Sequence, residues 1–251
     1  RALPWPTPNA KQTLRRAVTD ASAPMRVEKW LDPALWRWGS EFMGYANEQD
    51  FARLARAKLK FARFCQQELE ATLAKTRIDC GYRRDGLLYV CRSEETLAAA
   101  RARVELVGAH GVSARVLSRE KMISMDRALA ASPIVGGTFA VTDAQGDARA
   151  FTRNLASWLA SRGVTFTFDA PVTAKLKERA QTFEIHSPRG PVNADAFVVA
   201  LGPQTPKFAR GLGVRVPIYP VKGYSMTVPV KDPARAPKRG GICEDTLIAY
   251  C

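Results

Sequence analysis

The chain has 251 residues, of which 46% are hydrophobic and 25% charged, a balance that suits one large core or two smaller ones and excludes an intrinsically disordered chain. No apolar run reaches the roughly 20 residues that a membrane-spanning helix needs, and the first residues show no signal-peptide pattern. The net charge of +14 favours anionic partners. Acidic residues are interspersed with the basic ones, however, so ordinary solvated surfaces explain the charge better than a nucleic-acid site does. Attachment to an acidic membrane surface is the second interpretation.

Two helical regions are predicted before residue 80. Residues 1–46 contain the stretches PWPTP and LWRW, which indicate an extended arm followed by short helices. Residues 47–76 are predicted to form one long helix, because Phe61, Cys65 and Leu69 recur at every fourth position and form an apolar stripe.

The stretch CGYRRDGLLYVC, residues 80–91, predicts a β-hairpin with its turn at Asp85 and Gly86. A disulfide between Cys80 and Cys91 is an alternative to two free thiols. The five cysteines show no CxxC or metal-binding spacing, which favours a reduced, cytoplasmic setting. With only two histidines in the chain, no metal site is predicted.

Helices and strands alternate after residue 91. Ser93 and Asp147 are each predicted to cap the start of a helix, because short polar side chains accept hydrogen bonds from the first backbone N–H groups of a helix. Strands are predicted at VSARVLS (residues 112–118), at VTFTF (164–168), in two segments after Pro171, and in the stretch from residue 214 to residue 230.

The stretch NADAFVVALGPQTP, residues 193–206, contains a continuous apolar run from Ala196 to Leu201. Such a run predicts a strand that is buried on both faces of a parallel sheet. It stops at Gly202, at the carboxyl end of the predicted strand, where ligands of open α/β sheets bind. Because glycine lets a ligand approach the backbone closely, we expect a cofactor near this residue.

No short motif identifies a reaction. The nearest approach to a dinucleotide-binding GxGxxG loop is GLGVRV, residues 211–216, which lacks the third glycine and leads into a predicted strand instead of a helix. A plain turn is the better interpretation. Walker, HExxH, GxSxG and zinc-binding patterns are absent from the sequence. No catalytic side chain is therefore assigned.

Three segments, taken in order, resemble the middle of one protein family. They are DAQGDARAFTRNLASWLASRGVTFTFDAPV, NADAFVVALGPQTP and VPIYPVKGYSMTVPV. Their order and spacing resemble FAD-dependent oxidoreductases of the D-amino-acid oxidase superfamily, and most of all the bacterial D-amino-acid dehydrogenases (small subunit). The elements YPVKGYS and GDARAFTRNLA carry most of this resemblance, which extends over nearly all of the chain.

The resemblance implies an α/β (α+β) fold in which a partial FAD-binding domain of the glutathione-reductase type is interleaved with a mixed-sheet substrate domain. It implies a connecting arm at residues 1–40, substrate-domain segments at 41–140 and 207–251, and the later part of the FAD-binding domain at 141–206. The family's GxGxxG segment and its C-terminal Gly-rich segment have no match here. We therefore expect an internal fragment of a longer protein that does not hold FAD tightly by itself.

The resemblance also implies which residues lie near the ligands. The cofactor-binding candidates are Val172, Leu201, Gly202 and Pro203. The substrate-binding candidates are Lys222 and Tyr224. Ordinary structural roles are the alternatives: a core valine, a turn that ends a strand, a surface lysine and a packed tyrosine.

The implied activity is oxidative deamination of D-amino acids, in which hydride passes to the flavin and hydrolysis of the imino acid yields a 2-oxo acid and ammonia. A membrane electron acceptor of the respiratory chain would take the electrons, which places the protein in the cytoplasm, with peripheral attachment to the inner membrane as a further expectation. A glycine- or sarcosine-type oxidase of the same superfamily is the first alternative. A basic, non-catalytic module that binds nucleic acid or anionic lipid is the second, and no nucleic-acid partner is expected.

Overall fold

A computed structural model gives the fold of the protein. It describes residues 10–19, 23, 27–109, 111–177 and 182–251. Its helices are α1 (Ala10–Thr19), α2 (Pro33–Gly44), α3 (Glu48–Thr76), α4 (Glu94–Gly108), α5 (Arg119–Met125), α6 (Ala148–Ala160) and α7 (Thr205–Arg210). Its strands are β1 (Leu87–Cys91), β2 (Ala114–Ser118), β3 (Gly136–Ala140), β4 (Thr173–Lys177), β5 (Thr182–Ser187), β6 (Gly190–Val192), β7 (Gly241–Cys243) and β8 (Ala249–Tyr250). The stretch PWPTP and His110 lie outside the described residues.

The described residues form two compact units. Unit 1 contains those before Glu28 together with residues 46–162 and 227–251, and unit 2 contains residues 28–45 and 163–226. Each unit has its own hydrophobic core. The mixed α/β fold class is confirmed, whereas the bounds of the functional domains stay a prediction.

Unit 1 is built on a five-stranded mixed sheet with the strand order β2-β3-β1-β7-β8. The central strand β1 pairs with β3 in antiparallel and with β7 in parallel orientation. Side chains of a strand alternate between the two faces of a sheet. Accordingly, Leu88 and Val90 pack against Met122 of α5, whereas Cys91 packs against Leu97 of α4.

The predicted hairpin at residues 80–91 is wrong. Arg83 forms an isolated antiparallel bridge with Gln145, and β1 pairs with β3 and β7 instead of folding back on the preceding residues. Cys80 and Cys91 are both buried free thiols. The chain bends at Asp85 and Gly86 has a left-handed backbone with a φ of +79°, but a local bend does not specify which segments pair on either side of it.

The long helix α3 is confirmed, but its predicted buried face is wrong at Phe61 and Cys65. The buried residues there are Phe51, Ala55 and Leu59, whereas Phe61 is 66% exposed and Cys65 is exposed. Periodicity identifies an apolar stripe, but it does not say which side of a helix the rest of the protein covers.

The predicted helix caps are confirmed. The Ser93 hydroxyl accepts a hydrogen bond from the Thr96 N–H at 3.2 Å, and the Asp147 carboxylate accepts one from the Ala150 N–H at 2.9 Å. Caps of this kind depend on residues within one turn of each other, so the local sequence is sufficient to predict them.

Asp245, in the turn between β7 and β8, connects that turn to the start of α4. Its carboxylate accepts hydrogen bonds from the Arg92 N–H at 2.7 Å and from the hydroxyls of Ser93 and Thr96, both at 2.9 Å. Desolvation by burial acts to raise the pKa of this carboxyl group, but these hydrogen bonds outweigh it, and the pKa lies below the ordinary value of 3.8.

Unit 2 contains a three-stranded antiparallel sheet with the order β4-β5-β6. Its core consists of Ala174, Ile185 and Phe208, so that α7 packs against this small sheet. Gly211, directly after α7, lies so close to β4 that an added Cβ would be 2.2 Å from the Ala174 carbonyl oxygen. Only glycine permits this approach.

Three predicted strands do not form, two of them in unit 2 and the third in a segment that begins in unit 2 and ends in unit 1. Residues 164–168, 196–201 and 214–230 have no ladder partner among the described residues, and Val198 is 93% exposed although its strand was predicted to be buried on both faces. A strand needs a hydrogen-bonding neighbour as well as an apolar sequence. In the part of the chain that the structure describes, no helix is long and apolar enough to cross a membrane.

We expect Gly211→Ala to lower the free energy of unfolding by about 1–3 kcal/mol, because the new methyl group would overlap the backbone of β4. Urea denaturation monitored by circular dichroism measures this change. Gly223→Ala is the matched control, since no atom lies within 4 Å of the added Cβ there. Equal stability of the two variants would contradict the observed packing of α7 on β4.

We expect Asp245→Ala to destabilise the protein by about 1–2 kcal/mol at neutral pH, because three hydrogen bonds to a charged acceptor are lost. A carboxyl group with a lowered folded pKa stabilises above its ordinary value of 3.8, and this contribution is lost as the pH falls through the folded pKa. The urea midpoints of the variant and the unchanged protein should therefore converge in acid. The control is Asp195→Ala, at an exposed carboxylate; a gap that persisted in acid would argue against this role.

Candidate functional site

All six candidate ligand-binding residues lie in unit 2. The structure brings two of them together: Val172, just before β4, and Leu201, at the end of the apolar run, both pack against the buried cluster that contains Phe208. Both side chains are half-buried. These two candidates therefore share one apolar surface, which is formed by the small antiparallel sheet and α7, and their role in cofactor binding stays a prediction.

Gly202 begins a short 3-10 helix, Gly202–Gln204, which leads into α7. Its φ is +52°, a left-handed conformation that glycine adopts without the cost that a Cβ incurs. No atom lies within 4 Å of an added Cβ at this position. The glycine is thus required by the backbone conformation and not by crowding, and the backbone of this exposed turn, including Pro203, is open to approach by a ligand.

Lys222 and Tyr224 form a separate pair. The Lys222 ammonium lies 5.2 Å from the centroid of the Tyr224 ring, within the range of a cation–π interaction. Tyr224 is 82% exposed, and neither residue belongs to the cluster of Val172 and Leu201. The two substrate-binding candidates therefore do not share the apolar cluster on which Val172 and Leu201 pack.

One attachment within unit 2 is not evident from the sequence. The Tyr219 hydroxyl donates a hydrogen bond to the Asp32 carboxylate at 2.9 Å, and the Trp38 ring lies 5.8 Å from the Tyr219 ring. Arg215 also forms an ion pair with Glu41 of α2. Tyr219 is the first residue of YPVKGYS, so this element is held by α2, which sequence analysis places largely in a connecting arm.

The electrostatics of this attachment are consistent with its geometry. Hydrogen bonds from the Ala34 N–H and then from the Tyr219 hydroxyl lower the pKa of Asp32. Desolvation and then the contact with Asp32 raise the pKa of Tyr219. The pair therefore consists of a carboxylate acceptor and a phenol donor at neutral pH. Its only sequence signal is Asp32 directly before Pro33, which indicates a helix start but does not identify the tyrosine.

A second polar region lies in unit 1, around Gly240 at the entry to β7. The Gln145 amide oxygen accepts a hydrogen bond from the Gly240 N–H at 2.6 Å, which leaves the amide NH₂ of Gln145 buried without a hydrogen-bond partner among the described residues. Asp85, which pairs with Arg239, has one carboxylate oxygen in the same situation. This region therefore holds a buried amide donor and a buried carboxylate oxygen that no described residue pairs with.

Tyr250 of β8 pairs with Gly241, the first residue of β7. Its hydroxyl is also buried and forms no hydrogen bond with the described residues. Burial, followed by the charge of Asp126 and by Cys243, raises the pKa of Tyr250 to about 12, so its hydroxyl stays protonated and is a donor at neutral pH. Among the described residues, no group of three or more His, Cys, Asp or Glu side chains is arranged to hold a metal ion.

Several proteins with similar sequences are named D-amino acid dehydrogenase. The chain is 29% identical to D-amino acid dehydrogenase 2 of Mesorhizobium japonicum, over 99% of the chain and 61% of the relative. It is 34% identical to D-amino acid dehydrogenase of Rhizorhabdus wittichii, over 94% of the chain and 57% of the relative. The chain thus spans about three-fifths of the length of these curated relatives.

Similar solved structures belong to amine and amino-acid oxidoreductases. Glycine oxidase from Geobacillus kaustophilus matches 64% of this chain and 43% of its own, with a TM-score of 0.54 at 21% identity. L-proline dehydrogenase from P. horikoshii matches 75% of this chain and 50% of its own, with a TM-score of 0.61 at 14% identity. At these identities the likeness shows a shared fold.

A family profile matches as well. The profile described as DAO, FAD dependent oxidoreductase, covers residues 21–249, which is nearly the whole chain. Unit 1 and unit 2 both lie largely within this range. The sequence match extends over both units and the fold agrees with it, and the chain therefore belongs to the DAO family of FAD-dependent oxidoreductases.

Proposed function

We propose that the protein that contains these 251 residues oxidises D-amino acids to 2-oxo acids and ammonia. The observation that carries this proposal is the similarity to relatives named D-amino acid dehydrogenase, for example the 33% identity over 93% of the chain to the protein of Agrobacterium fabrum. When bound, FAD supplies the acceptor for the two electrons that leave the substrate, and water hydrolyses the resulting imino acid.

Within this proposal, unit 2 contributes one side of the cofactor site. Val172 and Leu201 offer an apolar surface, and the open left-handed backbone at Gly202, followed by Pro203, permits close contact with a flat cofactor. These residues fit FAD on this side, whereas no GxGxxG loop for its pyrophosphate occurs in the sequence. Residues 141–206 are accordingly proposed as the later part of the FAD-binding domain.

The substrate domain is proposed to comprise residues 41–140 and 207–251, with residues 1–40 as a connecting arm. Tyr224 would line the amino-acid pocket, and Lys222 would set the charge near it. The exposure of both side chains supports this role, because it leaves them available to a ligand, and their cation–π contact places the two groups together.

The electrons are proposed to pass to a membrane acceptor of the respiratory chain, with the protein peripheral on the cytoplasmic face of the inner membrane. The net charge of +14 supports attachment to an anionic leaflet. A glycine- or sarcosine-type oxidase is the second candidate, favoured by the fold shared with glycine oxidase. In that case molecular oxygen would take the electrons and hydrogen peroxide would form.

Activity measurements on the intact protein, FAD-loaded, separate these candidates. We expect D-alanine to reduce a soluble redox dye and to yield pyruvate and ammonia in equal amounts, with little hydrogen peroxide. L-alanine is the control substrate, and glycine and sarcosine test the second candidate. Dye reduction with L-alanine alone, or peroxide formation from glycine above that from D-alanine, would overturn the proposal.

The cofactor site has a separate test. We expect Gly202→Ala in the intact protein to reduce the flavin occupancy after purification severalfold, because a Cβ would enter the space proposed for the cofactor. The ratio of flavin to protein absorbance measures this. Gly163→Ala is the matched control, since Gly163 also has a positive φ, of +85°, and open space around its Cβ position. If both variants lost flavin equally, backbone strain would explain the loss, and the proposed contact at Gly202 would be contradicted.

A further inference from the structure

Helix α3 contains the most basic segment of unit 1. Between Phe51 and Gln67 it has five cationic residues and no acidic one. The cationic residues are Arg53, Arg56, Lys58, Lys60 and Arg63. The acidic residues of the helix, Glu48, Asp50, Glu68 and Glu70, lie outside this segment, so the mixing of charges seen along the chain as a whole does not hold within it.

Two aromatic side chains project from the same segment. Phe61 is 66% exposed and Phe64 is 55% exposed. At 100° per residue they point away from the buried side of the helix, which is formed by Phe51, Ala55 and Leu59. Residues three and four apart are neighbours on a helix surface, so the two rings lie side by side.

The cations beside these rings are available to a partner. Arg56 and Lys60 are exposed, lie one turn apart, and have no ion pair within the described part of unit 1. Arg53 pairs with Asp50 at 2.7 Å, and Arg63 donates to the Gly111 carbonyl. We call the surface formed by Arg56, Lys60, Phe61 and Phe64 the basic aromatic face.

We propose that the basic aromatic face of α3 docks on the surface of an anionic lipid bilayer. Lys and Arg side chains are attracted to anionic headgroups, while exposed aromatic rings insert at the boundary between headgroups and acyl chains. A helix that is held in the protein by its opposite side can present both groups without rearrangement. This inference rests on the peripheral attachment proposed above, but it can fail separately from the proposed reaction.

Lipid explains both parts of the face better than nucleic acid does. Cations alone would suit either polyanion, and stacked bases also pack on aromatic rings. However, Phe61 and Phe64 are neighbouring positions on the convex surface of a helix, and a convex surface does not enclose a strand. A bilayer surface needs no groove, and it covers both rings at once.

The two components predict a distinct salt dependence. Each cation near an anionic bilayer contributes about a fivefold gain in affinity. This attraction falls off over about one Debye length, which becomes shorter as salt is added. Insertion of the phenylalanines does not depend on salt in this way. The affinity for anionic vesicles should therefore fall as salt is added. It should level off at a salt-resistant value that depends on Phe61 and Phe64.

Co-sedimentation of the intact protein with vesicles tests the proposal. The vesicles contain phosphatidylcholine with about one-third phosphatidylglycerol, or phosphatidylcholine alone. We expect binding to the anionic vesicles, a loss of about tenfold or more in Arg56→Gln/Lys60→Gln, and loss of the salt-resistant part in Phe61→Ser/Phe64→Ser. The matched control is Lys231→Gln/Arg235→Gln, which removes the same charge from exposed positions elsewhere in unit 1.

Several outcomes would overturn the proposal. They are failure of the unchanged, folded chain to bind anionic vesicles, an equal loss in the matched control, and tighter binding of a DNA oligonucleotide at the same salt concentration. Circular dichroism confirms that each variant is folded. Dye reduction by the intact Arg56→Gln/Lys60→Gln protein with D-alanine reads the proposed reaction alone, and we expect it to be unchanged, because the dye requires no membrane.

Discussion

Strand β1 is the element on which the sheet of unit 1 depends. It is hydrogen-bonded on both edges, to β3 and to β7, and covered on both faces, by α5 on one side and α4 on the other. Its pairing with β7 joins residues 88–90 to residues 241–243, which lie near the end of the chain. Such long-range pairing lies beyond what a local pattern specifies.

Unit 2 shows what happens to an apolar segment that has no such partner. The run from Ala196 to Leu201 has the composition of a doubly buried strand, yet only Phe197 and Leu201 pack against the small core of this unit. The other side chains of the run are exposed. The same arrangement leaves the backbone at Gly202 open, which is the property that the proposed cofactor contact needs.

The candidate site was predictable in part. The apolar run and its terminal glycine identified Leu201 and Gly202, and the resemblance added Val172, which the structure places on the same cluster as Leu201. The hydrogen bond between Tyr219 and Asp32 was not predictable, because its partners lie far apart in the sequence and no periodic pattern connects them.

Local chemistry by itself determined the helix caps at Ser93 and Asp147, the left-handed backbone at Gly86 and the length of α3, because each depends on backbone groups within a few residues. Tertiary structure alone decided the pairing of β1, the buried side of α3 and the exposure of Val198. These features depend on which distant segment lies against each face of a helix or strand and along each strand edge. The alternation or periodicity of one segment does not specify which segment that is.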